Sequence, residues 1–247
     1  MLGNLCVLLF IVLFLLDMML MFIYCRVMEI VDKKISARLI DNEDNKDRDE
    51  KEKRKKNSFF RQVMKFVLNH YLYGLMRYSI LCVGKIPSHK VRNFLYRFVF
   101  NMKITRKTVI YGGCEIRAPW NIYADNCVIS NRCLLDGRNG IRIGDNVVFG
   151  GGVHVWTEEH DVHDVYFRVN AQNRKPVVIE SRAWICSDST ILPGVTIKEG
   201  VVLASRACAT KDCEAYGIYA GIPAKKIEDR NHELVYELSG KPHWYFY

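Results

Sequence analysis

No pair of cysteines in this 247-residue chain has the spacing of a metal site. The nine cysteines stand at positions 6, 25, 82, 114, 127, 133, 186, 208 and 213, an odd and scattered set. That excludes a disulfide scaffold and favours a reducing compartment. Also missing is any acidic residue between Asn57 and Thr108, a stretch holding ten Lys or Arg. The net charge of +9 is therefore uneven: residues 1–52 carry −3, residues 53–107 carry +14 and residues 108–247 carry −2. No nucleic-acid reading motif accompanies the basic segment, so no nucleic-acid partner is expected.

No Lys or Arg precedes the apolar run Leu5 to Tyr24, and Tyr24-Cys25-Arg26-Val27 is a poor cleavage site. Both absences count against a cleaved signal peptide. Twenty helical residues cover about 30 Å, the thickness of a bilayer core, so residues 1–25 are read as a transmembrane helix. Arg26, Lys33, Lys34 and Arg38 follow it, which predicts a single-pass protein whose remainder is cytoplasmic. Asp17 interrupts the run. Either it faces a partner helix or water, or so apolar a helix tolerates one carboxylate.

Between Asp41 and Lys56, fourteen of sixteen residues are charged, a composition that cannot form a core. Residues 26–57 are read as a charged linker. Over 58–108, Phe60, Val63, Met64, Val67, Leu68, Tyr71, Leu75 and Tyr78 recur at helical spacing. Pro87-Ser88 then opens a second helix with Val91, Phe94, Leu95 and Phe98 as its apolar stripe. These basic amphipathic helices either lie on an anionic membrane or cap the element that follows.

That element has a period of six. Ile179, Ile185, Ile191, Ile197, Leu203 and Ala209 are evenly spaced, each followed four residues on by a compact residue: Ala183, Ser189, Val195, Val201, Ala207 and Cys213. The lattice also runs through Tyr123, Ile129 and Leu135, slips by two, and resumes at Ile143, Phe149 and Val155. A helical stripe drifts at 3.6 residues and cannot hold this period. Short strands joined by tight turns can, three to a coil of about eighteen residues. Gly144, Gly150, Pro193-Gly194 and Gly200 are assigned to the turns. The predicted fold is mainly β, a parallel β-helix over 109–226 with a loop at 156–178, then a C-terminal helix or tail over 227–247.

With Ile141-Arg-Ile-Gly-Asp-Asn-Val, Thr157-Glu-Glu-His160-Asp, Val178-Ile-Glu-Ser-Arg-Ala-Trp184-Ile, Ile191-Leu-Pro-Gly-Val-Thr-Ile197, Thr210-Lys-Asp and Gly221-Ile-Pro-Ala-Lys-Lys-Ile227, the chain resembles the hexapeptide-repeat acyltransferases. It is most similar to the branch that acetylates sugars, polysaccharides and antibiotics. The resemblance implies a left-handed coil, a homotrimer and acetyl-CoA as co-substrate. It also implies that His160 is the general base, since an alcohol attacks well only as its proton is removed and an imidazole, ordinarily titrating near about 6.5, suits that task. Ser187, Ser205, Thr210 and Lys211 are implied contacts of the pantetheine arm. Lys225 and Lys226 are implied contacts of the nucleotide end, although each could equally be a solvated lysine. Ile222 and Cys186 depart from the family pattern.

His154 and His163 flank His160, but no second histidine pair matches, so no metal is expected. Cys186 could act as a nucleophile and is read as packing. Asp136 and Trp156, twenty residues apart, suit a sugar ring, although a turn-capping role explains Asp136 as well. The leading function is O-acetyl transfer to a sugar or lipid-linked glycan at the membrane. A small soluble acceptor, or a catalytically silent platform on the membrane, are the alternatives. His243-Trp-Tyr-Phe-Tyr247 is a candidate packing surface for a neighbour.

Overall fold

The computed structural model describes residues 2–43, 59–170 and 174–241, in two compact units, Met1–Ser79 and Ile80–Tyr247. The tail His243–Tyr247 lies outside the described residues.

In the first unit, helix α1 runs from Leu2 to Glu43. Within it, Cys6–Ile35 is long and apolar enough to cross a membrane. The helix does not end at residue 25, so the first part of the expected linker is helical. Pairs such as Glu29–Lys33, one turn apart at 2.8 Å, support helix where apolar residues thin out. Residues 44–57 of that linker lie outside the described residues.

Met18, Met21, Tyr24, Cys25 and Met28 form the buried stripe of α1. Facing it are α2 (Phe59–Phe66), a π-helical turn (Val67–Leu72) and α3 (Tyr73–Gly84). The Tyr24 hydroxyl donates to the Leu68 carbonyl at 3.0 Å. The Ser79 hydroxyl donates to the Asp17 carboxylate at 3.1 Å. Asp17 thus has a partner helix, and its cost in an apolar run is partly offset by that hydrogen bond.

The second unit is a left-handed parallel β-helix. Its first face stacks Lys103–Ile104, Ile122–Ala124, Ile141–Ile143, Val177–Ile179 and Thr196–Ile197. The second stacks Val109–Ile110, Val128–Ile129, Val148–Phe149, Trp184–Ile185, Val202–Leu203 and Gly217–Ala220. The third stacks Glu115–Arg117, Leu134–Asp136, His154–Val155, Thr190–Ile191 and Cys208–Ala209.

Late coils advance by eighteen residues: Val178 pairs with Thr196, Trp184 with Val202 and Thr190 with Cys208. Across the slip they advance by twenty, Val128 to Val148 and Leu134 to His154. The two extra residues are taken up at the 3-10 turn Gly137–Asn139. Between Ile143 and Ile179 the step is thirty-six, one coil plus an extruded loop of a coil's length. The aliphatic lattice points inward, and Ile129, Phe149, Ile185 and Leu203 are all buried on the second face.

Two expectations are corrected on this lattice. Tyr123 faces outward, 42% exposed, and Ala124 takes the inward place beside Ile143. The 3-10 turn Pro119–Asn121 shifts the phase there by one. Neither Gly144 nor Gly150 serves a left-handed turn, whereas Gly194 and Gly200 do. A Cβ on Gly150 would stand 2.4 Å from the Ser187 amide nitrogen, so close stacking of coils demands the glycine.

Helix α4 (His89–Phe98) starts at the Ser88 cap and closes the first coil. Its buried face is His89, Arg92, Leu95 and Tyr96, while Val91, Phe94 and Phe98 point outward. Of the apolar stripe, only Leu95 packs inward, and Val91, Phe94 and Phe98 are on the outer side. The reason is the chemistry of a coil end, which leaves carbonyls unpaired. Arg92 supplies donors to Pro87 O and Ile110 O, each at 3.0 Å, and Asn93 donates to Thr108 O at 2.6 Å. Burial pulls the Arg92 guanidinium below its ordinary pKa.

Of the helix or tail expected over 227–247, the described residues show a strand and then an extended tail. Lys225–Asp229 is a strand, antiparallel to Gly217–Ala220, and no helix follows among the described residues. The chain then runs as a strap back along the corner between the first and second faces. Arg230 donates to Arg182 O at 2.8 Å and Gly200 O at 3.0 Å. The Tyr236 hydroxyl donates to Arg182 O at 3.0 Å and Asn146 O at 3.3 Å. Leu238 exchanges backbone bonds with the side chains of Asn146 and Asn126. Gly240 packs so closely on Lys107 that an added Cβ would lie 2.8 Å from the Lys107 Cβ. The strap reaches from the last coils to the first.

Candidate active site

The extruded loop leaves the third face after Val155 and returns to the first at Val177. Its root is pinned by Thr157, which is fully buried. The Thr157 hydroxyl donates to Asp136 O at 2.6 Å and accepts from the Asn139 amide at 3.0 Å. The loop then folds on itself: Asp161 N donates to Arg168 O at 2.8 Å and Asn170 N to Glu159 O at 2.9 Å. His160 sits on the first rung of this hairpin, opposite Val169.

The His160 ring is exposed, stacks on Phe167 with centroids 4.3 Å apart, and places Nδ1 2.8 Å from the Phe167 carbonyl oxygen. A carbonyl can only accept, so Nδ1 carries the hydrogen in that contact. The neutral ring then keeps its lone pair on Nε2. Such an arrangement orients one nitrogen and frees the other as a base.

Asp136 is fully buried, and its carboxylate accepts from Arg138 Nε and Nη2 at 2.8 Å each. It also caps the 3-10 turn through the Arg138 amide at 3.4 Å and accepts from Thr157 N at 3.5 Å. Arg138 Nη1 donates in addition to Glu158. This is the turn-capping alternative, and Asp136 is bound to the loop root rather than presented to solvent. Trp156 lies in the neighbouring coil with Arg117 over its ring at 5.1 Å and His154 at its edge, 6.2 Å away. Arg138, Thr157 and Phe167 contact the expected site residues Asp136 and His160, and residue type alone did not single them out. Only Thr157, through its place in the Thr-x-x-His motif, had a signal.

The expected donor-binding residues fall into three groups. Ser187 and Ser205 are exposed on successive coils of the corner between the second and third faces, where Arg206 N donates to Ser187 O at 3.1 Å. Thr210 and Lys211 are exposed on the next corner, the one that bears the His160 loop two coils earlier. Trp156 N donates to Ile191 O and Leu192 N to Ala209 O, so Trp156, Leu192 and Thr210 form one column. Lys225 is exposed on the final strand. Lys226 pairs with Asp229, whose carboxylate holds the ammonium above its ordinary pKa. Exposed hydroxyls and lysines are groups of the kind that suit a polyanionic thioester donor.

Cys186 is half-buried, and burial pushes its thiol above the ordinary range. That opposes use as a nucleophile. Among the described residues no group of three His, Cys, Asp or Glu could hold a metal ion. A groove of about 720 Å³ on the outer side of the first face is lined by Tyr123, Arg142, Glu180, Ser181, Arg182 and Glu199, among others, and includes none of the expected site residues.

No family model matches the chain. The acetyltransferase WcaF of Escherichia coli (strain K12), which its name assigns to colanic acid biosynthesis, is 31% identical over 143 residues, 58% of this chain and 76% of WcaF. The chain belongs to the hexapeptide-repeat acetyltransferases. Like other members of that family it is an acyltransferase that takes its acetyl group from acetyl-CoA. Galactoside O-acetyltransferase of Escherichia coli (strain K12) is 30% identical over 119 residues, 48% of this chain and 56% of that enzyme. Among solved structures, a maltose O-acetyltransferase from Clostridium difficile 630 superposes with a TM-score of 0.57 at 23% identity, covering 66% of this chain and 91% of its own. A hexapeptide-repeat acetyltransferase of Vibrio cholerae, solved with acetyl-CoA, gives 0.56 at 21% identity, covering 71% and 91%. At these identities the structural likenesses establish the fold of this hexapeptide-repeat acetyltransferase.

Proposed function

We propose that this enzyme acetylates a hydroxyl of a sugar or lipid-linked glycan at the cytoplasmic face of a membrane, with His160 as general base. The observation that carries the reading is the 2.8 Å contact between His160 Nδ1 and the Phe167 carbonyl, which leaves Nε2 to accept a proton. His160 Nε2 takes the acceptor's hydroxyl proton as the oxygen bonds to the thioester carbonyl carbon. Collapse of the tetrahedral adduct breaks the carbon–sulfur bond. The thiolate leaves with little need of acid help and regains its proton from the imidazolium, returning His160 to its neutral state. A base of this kind contributes about 10²- to 10⁴-fold.

Ser187, Ser205, Thr210, Lys211, Lys225 and Lys226 hold the donor in a cleft completed by a neighbouring copy in a homotrimer. Trp156 offers a flat apolar surface for a sugar ring, with Asp136 and Arg138 setting the level of the loop root beside it. The names of WcaF and the galactoside enzyme support a sugar acceptor. The candidate span Cys6–Ile35, with Arg26, Lys33 and Lys34 toward its C-terminal end and Arg38 just beyond it, supports the bilayer as partner and the cytoplasmic side.

The test is acetyl-CoA consumption by the full chain with three acceptors offered separately: a membrane glycolipid extract, soluble galactosides and an antibiotic. Turnover driven by the glycolipid fraction is expected. Turnover with the antibiotic alone would favour a small soluble acceptor. No turnover with any of them would favour a silent platform.

A further inference from the structure

Helix α4 departs from a rule of solenoid caps. A terminal cap closes the apolar core with one side and normally shows water a polar one. The inner side of α4 obeys, through Arg92, Asn93, Leu95 and Tyr96. Its outer side shows Val91, Phe94 and Phe98, 46%, 54% and 53% exposed, with the Phe94 and Phe98 rings stacked at 4.7 Å. Basic residues surround them. Lys90, Arg106 and Lys107 are exposed and Arg97 is half-exposed. The sequence has no acidic residue between Asn57 and Thr108.

We propose that this outer face is a lipid-docking surface, which lays the N-terminal end of the solenoid on an anionic bilayer. Two observations select lipid over another occupant. An apolar centre with a basic rim is complementary to an anionic headgroup layer over an acyl phase, and a helix of this kind lies with its apolar side about 5–10 Å into that boundary. The same chain carries the candidate span Cys6–Ile35, which brings a bilayer within reach. Cap and membrane contact are then two sides of one helix.

The experiment places reporters in the full chain reconstituted in nanodiscs whose lipids carry brominated acyl chains, which quench tryptophan on contact. Phe94→Trp reports on α4, and Phe10→Trp, in the apolar stretch of α1, controls for insertion. In discs of phosphatidylcholine with phosphatidylglycerol, the emission each variant adds over wild type is expected to fall at least two-fold. Changing Lys90, Arg97, Arg106 and Lys107 together to Gln should restore the Phe94→Trp emission and leave Phe10→Trp quenched. Quenching at position 10 with none at position 94 overturns the docking surface and leaves the anchor standing. A blue-shifted but unquenched signal at position 94 assigns the face to a second copy instead, and also overturns it. No quenching at either position removes both the docking surface and the membrane anchor.

Discussion

Replacing Arg138 with alanine tests how the loop root is built. The Asp136 carboxylate has no exposure, and its two short contacts, at 2.8 Å, both come from Arg138. Its remaining donors, the amides of Arg138 and Thr157, are long at 3.4 and 3.5 Å. Removing one partner of a buried pair costs about 3–5 kcal/mol because a charge is left uncompensated. Arg138 retains a third of its own exposure, so the low end, about 3 kcal/mol, is expected. For a domain of this size that is about 6–12 °C in Tm. Adding Asp136→Asn removes the stranded charge and should recover at least about 2 kcal/mol, the signature of coupling within a network. Because Arg138 also holds Glu158, two residues before His160, kcat should fall by about ten-fold or more as the base loses its position. Thermal unfolding and acetyl-transfer rates of the two single variants and the double variant are the assays. An Arg138→Ala protein within about 1 kcal/mol of wild type, or a double variant as unstable as the sum of the singles, would refute the reasoning.

Three further outcomes are expected. Phe167→Ala keeps the main-chain carbonyl and loses the ring stack, worth about 0.5–1.5 kcal/mol, so kcat should drop by about two- to twelve-fold with KM for acetyl-CoA unchanged. Burial raises the Cys186 thiol, so the thiolate is scarce at pH 7 and grows as pH rises; alkylation by iodoacetamide should be slow at pH 7 and quicken toward pH 9, and Cys186→Ala should stay within about two-fold of wild-type kcat. Tyr236→Phe frees the strap from Arg182 O and Asn146 O, which should cost about 1 kcal/mol and lower Tm by about 2–4 °C in a calorimetric scan.

Much of the prism is legible in the residues because its core is a stack of equivalents. Ile179, Ile185 and Ile191 must be aliphatic for the same reason, so one coil announces the next. Other features leave no such trace. Arg132, Asn146, Arg182, Asp188, Arg206 and Tyr216 adopt positive φ at the corners, where a reader expects glycine. The stacked coils over-determine those turns, so the local preference is overridden. Helix α4 defeats the apolar-stripe rule because a coil end offers carbonyls, which an arginine satisfies better than a valine. The strap has no periodicity, since it is held by single hydrogen bonds to corner carbonyls. In the site, His160 is readable from its motif, and its partner is not. A main-chain carbonyl at Phe167 places no demand on residue type.

The most direct measurement is single-turnover acetyl transfer by wild type and His160→Ala, with binding of CoA followed in the same samples. The account predicts a loss of about 10²- to 10⁴-fold in the chemical step with the Kd for CoA unchanged. Transfer by His160→Ala at a rate close to wild type would contradict it.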